Sequence, residues 1–137
     1  MLVRMAQRAR ARPLAVLLAC CLCVACGPQA DAGNNLTLSW DLEPVPPVAG
    51  ATGVARLTIR DAEKQVVRGA RLRLEGHMSH PGMTPVVATM AERSDGTYEA
   101  PLELTMAGDW VLVVTGDVPG IGHFTRQLEV AGVRPAS

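Results

Sequence analysis

The sequence predicts an all-β domain, an antiparallel sandwich of about seven strands. Three observations predict it. Apolar and polar residues alternate with a period of two in several separate runs. Turn-forming clusters recur roughly every dozen residues between those runs. Beyond the first 26 residues, no stretch keeps the 3.6-residue period of an amphipathic helix for more than a turn or two.

The expected strands, in chain order, lie near Leu36–Leu42, Gly53–Arg60, Ala70–Glu75, Val86–Ala91, Thr97–Thr105, Trp110–Thr115 and His123–Val130. In the second, Ala55, Leu57 and Ile59 can face a core while Arg56, Thr58 and Arg60 face water. In the third, Leu72 and Leu74 alternate with Arg71, Arg73 and Glu75. In the fifth, Tyr98, Ala100, Leu102 and Leu104 alternate with Glu99, Glu103 and Thr105, and in the seventh Phe124, Leu128 and Val130 share a phase. One wet face and one dry face is the antiparallel pattern. Pro44, Pro46 and Pro47 end the first strand, because proline cannot donate to a sheet ladder. Asp61-Ala62-Glu63-Lys64-Gln65, Ser94-Asp95-Gly96 and Ala107-Gly108-Asp109 read as turns that suit hairpins. The strand spacing fits an immunoglobulin-like or a cupredoxin-like order and does not choose between them. There is no internal repeat.

Ahead of the strands stands a different kind of segment. Arg4, Arg8, Arg10 and Arg12 precede an apolar run from Leu14 to Cys26, with no acidic residue before Asp31. A basic start followed by a short apolar stretch has the layout of a secretory signal, and the run is shorter than the ~20 residues a spanning helix needs. All four cysteines fall inside it: Cys20, Cys21, Cys23 and Cys26. Val24-Ala25-Cys26-Gly27 has the form of a lipoprotein cleavage site. Leu17-Leu18-Ala19-Cys20 has it too, but cutting there leaves an apolar remnant. The expected organisation is a lipoprotein signal over 1–26 with Cys26 lipidated (Cys20 the alternative), a flexible tether over 27–35, the sandwich over 36–132 and a tail over 133–137. Such a protein would be lipid-anchored on the extracytoplasmic side of a bacterial membrane.

Removing the signal leaves nine basic against 13 acidic residues, a net charge of −4, which argues against a nucleic-acid partner. The domain would hold no further cysteine, hence no internal disulfide and no thiolate chemistry. Gly-x-Ser-x-Gly, His-Glu-x-x-His and phosphate-cradling glycine loops are absent from the sequence, and Ser79 has no acidic residue close by to orient its flanking histidines. The expectation is that the protein is not an enzyme.

One segment departs from the strand pattern: Gly76-His77-Met78-Ser79-His80-Pro81-Gly82-Met83-Thr84-Pro85. It reads as a loop, where binding residues usually sit on a rigid sandwich. Thioether is soft and selects Cu(I), while imidazole accepts either oxidation state. His77, His80, Met83 and Met78 are therefore the candidate metal ligands, with Met90, Met106 and His123 as more distant ones; Met90 and Met106 lie in or beside strands, where core packing is the better reading. A blue-copper electron-transfer site needs a cysteine thiolate and is excluded for the cleaved domain.

With these residues in view, the chain resembles the YtkA-like family, related to the periplasmic part of FixH, over roughly Gly53 to Val130. The resemblance rests on Gly69-Ala70-Arg71-Leu72, on the His77-to-Pro85 loop, and on Gly96-Thr97-Tyr98 leading to Met106-Ala107-Gly108-Asp109-Trp110. It implies an extracytoplasmic β-sandwich with a link to copper handling or to assembly of haem–copper oxidases, and so envelope copper or oxidase-assembly proteins as partners. FixH itself is held by a transmembrane helix, which a lipoprotein signal replaces here. The expected function is an extracytoplasmic copper-binding accessory lipoprotein. The alternative is a metal-free interaction module of the cell envelope, with the loop as its contact surface. A carbohydrate-binding module is disfavoured, since Trp40, Tyr98, Trp110 and Phe124 can all be placed on core faces.

Overall fold

The computed structural model of the protein describes residues 32–78 and 82–137. The expected signal with Cys20 and Cys26, the first part of the tether, and Ser79, His80 and Pro81 lie outside the described residues. A 3-10 turn, Ala32–Asn35, precedes seven strands: β1 Thr37–Glu43, β2 Thr52–Arg60, β3 Arg71–Met78, β4 Val86–Glu92, β5 Tyr98–Glu103, β6 Gly108–Val118 and β7 Gly122–Val133. All pair antiparallel in one curled sheet of order β1-β2-β5-β4-β3-β6-β7. The sheet folds over into two layers. β4 joins them, paired along β3 from Met90 opposite Leu72 to Val86 opposite Gly76, and touching β5 only at Ala91 and Glu92. Divided as β1-β2-β5-β4 and β3-β6-β7, the order matches that of an immunoglobulin constant-type sandwich.

The period-two pattern explains the packing. Ala55, Leu57 and Ile59 of β2, Tyr98, Ala100 and Leu102 of β5, Leu72 and Leu74 of β3, and Trp110, Leu112 and Val114 of β6 all turn inward and are buried. Trp40 of β1 packs against that core from its margin. The core extends from Leu36 to Val133, and no polar residue is buried in it among the described residues. The described residues from Leu36 to Val133 therefore share one continuous core.

Two of the expected hairpin turns instead carry the chain between layers. The Asp61-to-Gln65 turn lies in the β2–β3 connection, and of the expected Ala107-Gly108-Asp109 turn only Ala107 lies in the β5–β6 connection, since pairing with β7 makes Gly108 and Asp109 the start of β6; neither pair of strands is adjacent in the sheet. The turn chemistry is local and present: the Gln65 amide donates to Asp61 Oδ1 at 2.8 Å, and Lys64 takes φ 64°. What the turn joins is set by packing further away. Ser94-Asp95-Gly96 does close a hairpin, between β4 and β5. Arg93 N donates to Thr97 O at 2.7 Å, Asp95 Oδ1 accepts Thr97 N, and Gly96 supplies the positive φ of 84°.

Buried aromatic side chains with a polar end tie down both crossings. The Tyr98 hydroxyl donates to Val67 O at 2.9 Å and accepts the Ala70 amide at 3.1 Å, pinning the β2–β3 connection. Trp110 Nε1 donates to Met106 O at 2.9 Å, closing the β5–β6 corner. On the outer face of the other layer, Arg56 lies 2.8 Å from Glu43 and Glu99 and 3.5 Å from Asp41, and Arg93 also reaches Glu99. The Arg56 hydrogen bond holds the Glu99 carboxyl below the usual carboxylate range, and the Arg56 guanidinium is pushed up, first by its hydrogen bond to Glu43 and then by that to Glu99.

The sandwich has two distinct ends. Thr37, where β1 begins, pairs with Arg60, so the chain enters beside the β2–β3, β4–β5 and β6–β7 connections. The β1–β2, β3–β4 and β5–β6 connections form the opposite tip, where Glu43 pairs with Val54, Met78 with Trp110, and Gly108 with Val133. The last residues of the expected tether are the 3-10 turn, which packs against β7, where Arg126 Nη2 donates to the Gly33 carbonyl.

Candidate metal centre

The structure redraws the segment expected to be a loop. β3 continues through Gly76 and His77 to Met78, so these are strand residues. The cause is the length of β6, which offers Leu112, Val111 and Trp110 as partners for Gly76, His77 and Met78. Gly76 reads as a breaker in sequence but belongs to the strand. It sits under the Trp110 ring, where an added Cβ would stand 3.4 Å from the ring carbons.

Strand geometry then separates neighbours, because successive side chains point to opposite faces. Leu72, Leu74, Gly76 and Met78 share the core face, and Arg71, Arg73, Glu75 and His77 share the outer one. The His77 ring is 41% exposed, and its Nε2 lies 3.3 Å from Glu75 Oε2, while Glu75 Oε1 is 3.0 Å from Arg73 Nη2. Met78 packs against the edge of the core, with its Cε close over Gly108. Met83 also packs against the core, three residues before Val86, the residue that pairs with Gly76. Met106 lies in the β5–β6 corner with its side chain exposed and its carbonyl held by Trp110.

The tip therefore brings Met78, Met83 and Met106 to one end, with His77 on the outer flank of the same end. His80 lies outside the described residues. His123 is at the other end. It pairs with Asp117, which pairs with Arg71, whereas His77 pairs with Val111. Six residues of β6 separate the two levels, about 20 Å at ~3.3 Å per residue. The His123 Nδ1 contacts Asp117 Oδ1 at 3.1 Å. Met90 is buried core opposite Leu72, as its placement in a strand suggests.

Among the described residues, no group of three or more His, Cys, Asp or Glu side chains could hold a metal ion. The donors gathered at the tip are of another kind, thioether sulfurs with one imidazole at the margin. By donor type that set fits a soft monovalent cation such as Cu(I) and not a hard divalent one. Sequence reasoning missed Glu75 as the His77 partner and Asp117 as the His123 partner. The first was available from the i, i+2 spacing once Gly76 is placed in a strand, and the second needed the β6–β7 register.

No helix among the described residues is long and apolar enough to cross a membrane. No curated protein matches the chain. The family comparison matches residues 34–115, from the turn before β1 into β6, a span that holds both the β3–β4 segment and the Trp110 corner. The chain belongs to the YtkA-like family.

Proposed function

We propose that this protein is an extracytoplasmic accessory lipoprotein that binds copper as Cu(I), for delivery or storage, and is not an enzyme. The observation that carries the reading is that Met78, Met83 and Met106 all lie at the tip opposite the domain's N-terminal end, with Met78 Cε close to Gly108 and Met106 in the adjoining β5–β6 corner. Thioethers bind Cu(I) without needing deprotonation, so such a set would work in an acidic or a neutral compartment alike. A lipid on Cys26 would enter at the N-terminal end and leave the methionine tip facing away from the membrane. Family membership supports an accessory role, and partners among envelope copper or respiratory-oxidase assembly proteins follow from that role.

The residues divide the work. Met78 and Met83 would supply sulfur from the core side, where both pack against the apolar core. Met106 would supply it from the exposed side. His77 and His80 would serve as outer donors that receive or release the ion, with Glu75 orienting the His77 ring as carboxylate partners orient metal-bound histidines.

The test is a Cu(I) titration of the segment from Gly27 onward against a competing chelator, with Cu(II) measured separately. The reading expects one-to-one Cu(I) binding, abolished in a Met78→Leu, Met83→Leu variant and weakened in a His77→Ala, His80→Ala variant. Absence of binding by the folded domain would overturn it.

A further inference from the structure

The tip carries a second feature that needs no metal. Large apolar side chains are exposed at few places among the described residues. Val45, 83% exposed, and Met106, 44% exposed, are both on this tip. They stand on the β1–β2 and β5–β6 connections, which are tied together where the Gly50 amide donates to Leu104 O at 2.8 Å. The charge around them is mostly acidic. Glu103 and Asp109 flank Met106 in sequence, and Glu129 lies on β7 opposite Val111. All three are exposed, and none has a cationic partner among the described residues. The Asp109 carboxylate accepts only the Gly132 amide, at 2.8 Å. Arg134, whose amide donates to Pro47 O in the β1–β2 connection, is the one arginine or lysine at this tip among the described residues, whereas Arg60, Lys64, Arg68, Arg71 and Arg93 stand around the N-terminal end.

We propose that this tip is a docking surface for a protein partner that presents an apolar centre within a basic rim. Specific interfaces have this anatomy, a desolvated apolar middle inside a charged border. Methionine suits the middle because its unbranched thioether side chain adapts to the facing surface. The border acids steer the encounter and select against acidic partners. Surface position agrees, since the tip is the end furthest from where the chain enters the domain. The proposal goes beyond copper binding and does not depend on it.

The experiment places a photo-crosslinking residue at position 106 of the full chain in the cells that make it, and at Ile121, the exposed apolar residue near the other end, as a control. The expected result is a covalent adduct with one protein from position 106 only. The cross-linked peptide should be rich in Lys and Arg, and the yield should fall about tenfold in a Glu103→Lys, Glu129→Lys variant. Both substitutions are at exposed positions with no hydrogen-bonded partner among the described residues, and circular dichroism checks that the variant is folded. The adduct should persist with a copper chelator present, which separates this proposal from the fate of the copper reading. No adduct from position 106, an adduct insensitive to charge reversal or lost with the chelator, an equal yield from position 121, or capture of lipid or of a second copy of the chain would each overturn it.

Discussion

Replacing Tyr98 by phenylalanine removes one oxygen atom from the centre of the β2–β3 crossing. The ring is fully buried, so packing is kept and only the hydroxyl is lost. Val67 O then loses a buried donor at 2.9 Å, and the Ala70 amide loses its acceptor at 3.1 Å in a partly buried position. A buried unpaired carbonyl costs about 1–3 kcal/mol, and an amide that water can reach costs less, so the change should destabilise the domain by about 2–3 kcal/mol. For a domain near 100 residues that is a drop in Tm of roughly 10 °C or more. Burial also raises the Tyr98 pKa above its ordinary 10.0. The folded state thus favours the neutral phenol. That contribution is fully present below the unfolded value near 10 and is lost as pH rises through the folded value. Urea denaturation at neutral and alkaline pH reads both effects: Tyr98→Phe should be less stable at pH 7 and should lose less of its remaining stability above pH 10 than the parent. A change under 0.5 kcal/mol at pH 7 would refute the idea that this hydroxyl staples the crossing.

Other predictions follow from the packing and the charges. At Gly116 an added Cβ would come within 2.5 Å of Leu72 Cδ2 and Phe124 Cε1. Gly116→Ala should therefore cost about 1–3 kcal/mol by overpacking, read by urea unfolding. The Glu99 carboxyl is held below its ordinary value of 4.5 by Arg56. Its contribution is present above pH 4.5 and lost as pH falls through the folded value, so Glu99→Gln should flatten the acid limb of the stability curve while leaving the alkaline limb unchanged. Trp110→Phe should cost about 1 kcal/mol through the lost bond to Met106 O and should lower Cu(I) affinity by loosening the corner, read by paired denaturation and chelator competition.

The strands were legible in the sequence because one face of each is dry, and a period of two survives any arrangement of neighbours. β2, with Ala55, Leu57 and Ile59 inward, begins one residue before its expected start at Gly53. The layer crossings were not legible. The Asp61-to-Gln65 turn has the same local chemistry whether the next strand pairs alongside or moves to the other layer, and the Tyr98 hydrogen bonds that pin the connection after it join residues 28 and 31 apart in sequence. The strand order likewise depends on contacts far apart in sequence, such as Ala55 with Ala100 and Leu74 with Val114.

At the candidate centre the residue types were legible and their faces were not. Gly76 reads as the end of a strand because glycine weakens one, yet here it stays in β3, paired with Leu112 and beside the Trp110 ring. Once β3 runs on to Met78, His77 and Met78 fall on opposite faces, and the compact His/Met cluster of the sequence becomes a methionine group with a histidine flank. His123 shows the same limit from the other side. Its position near the start of β7 is a local property, but which end of the sandwich that start occupies follows only from the β6–β7 pairing.

The claim at the centre of this account is that copper is held mainly by sulfur from the core side of the tip. X-ray absorption at the copper edge of the Cu(I)-loaded segment from Gly27 onward tests it most directly. The account predicts a shell dominated by thioether sulfur that survives His77→Ala and is depleted in Met78→Leu. A shell of nitrogen and oxygen alone, unchanged by Met78→Leu, would contradict it.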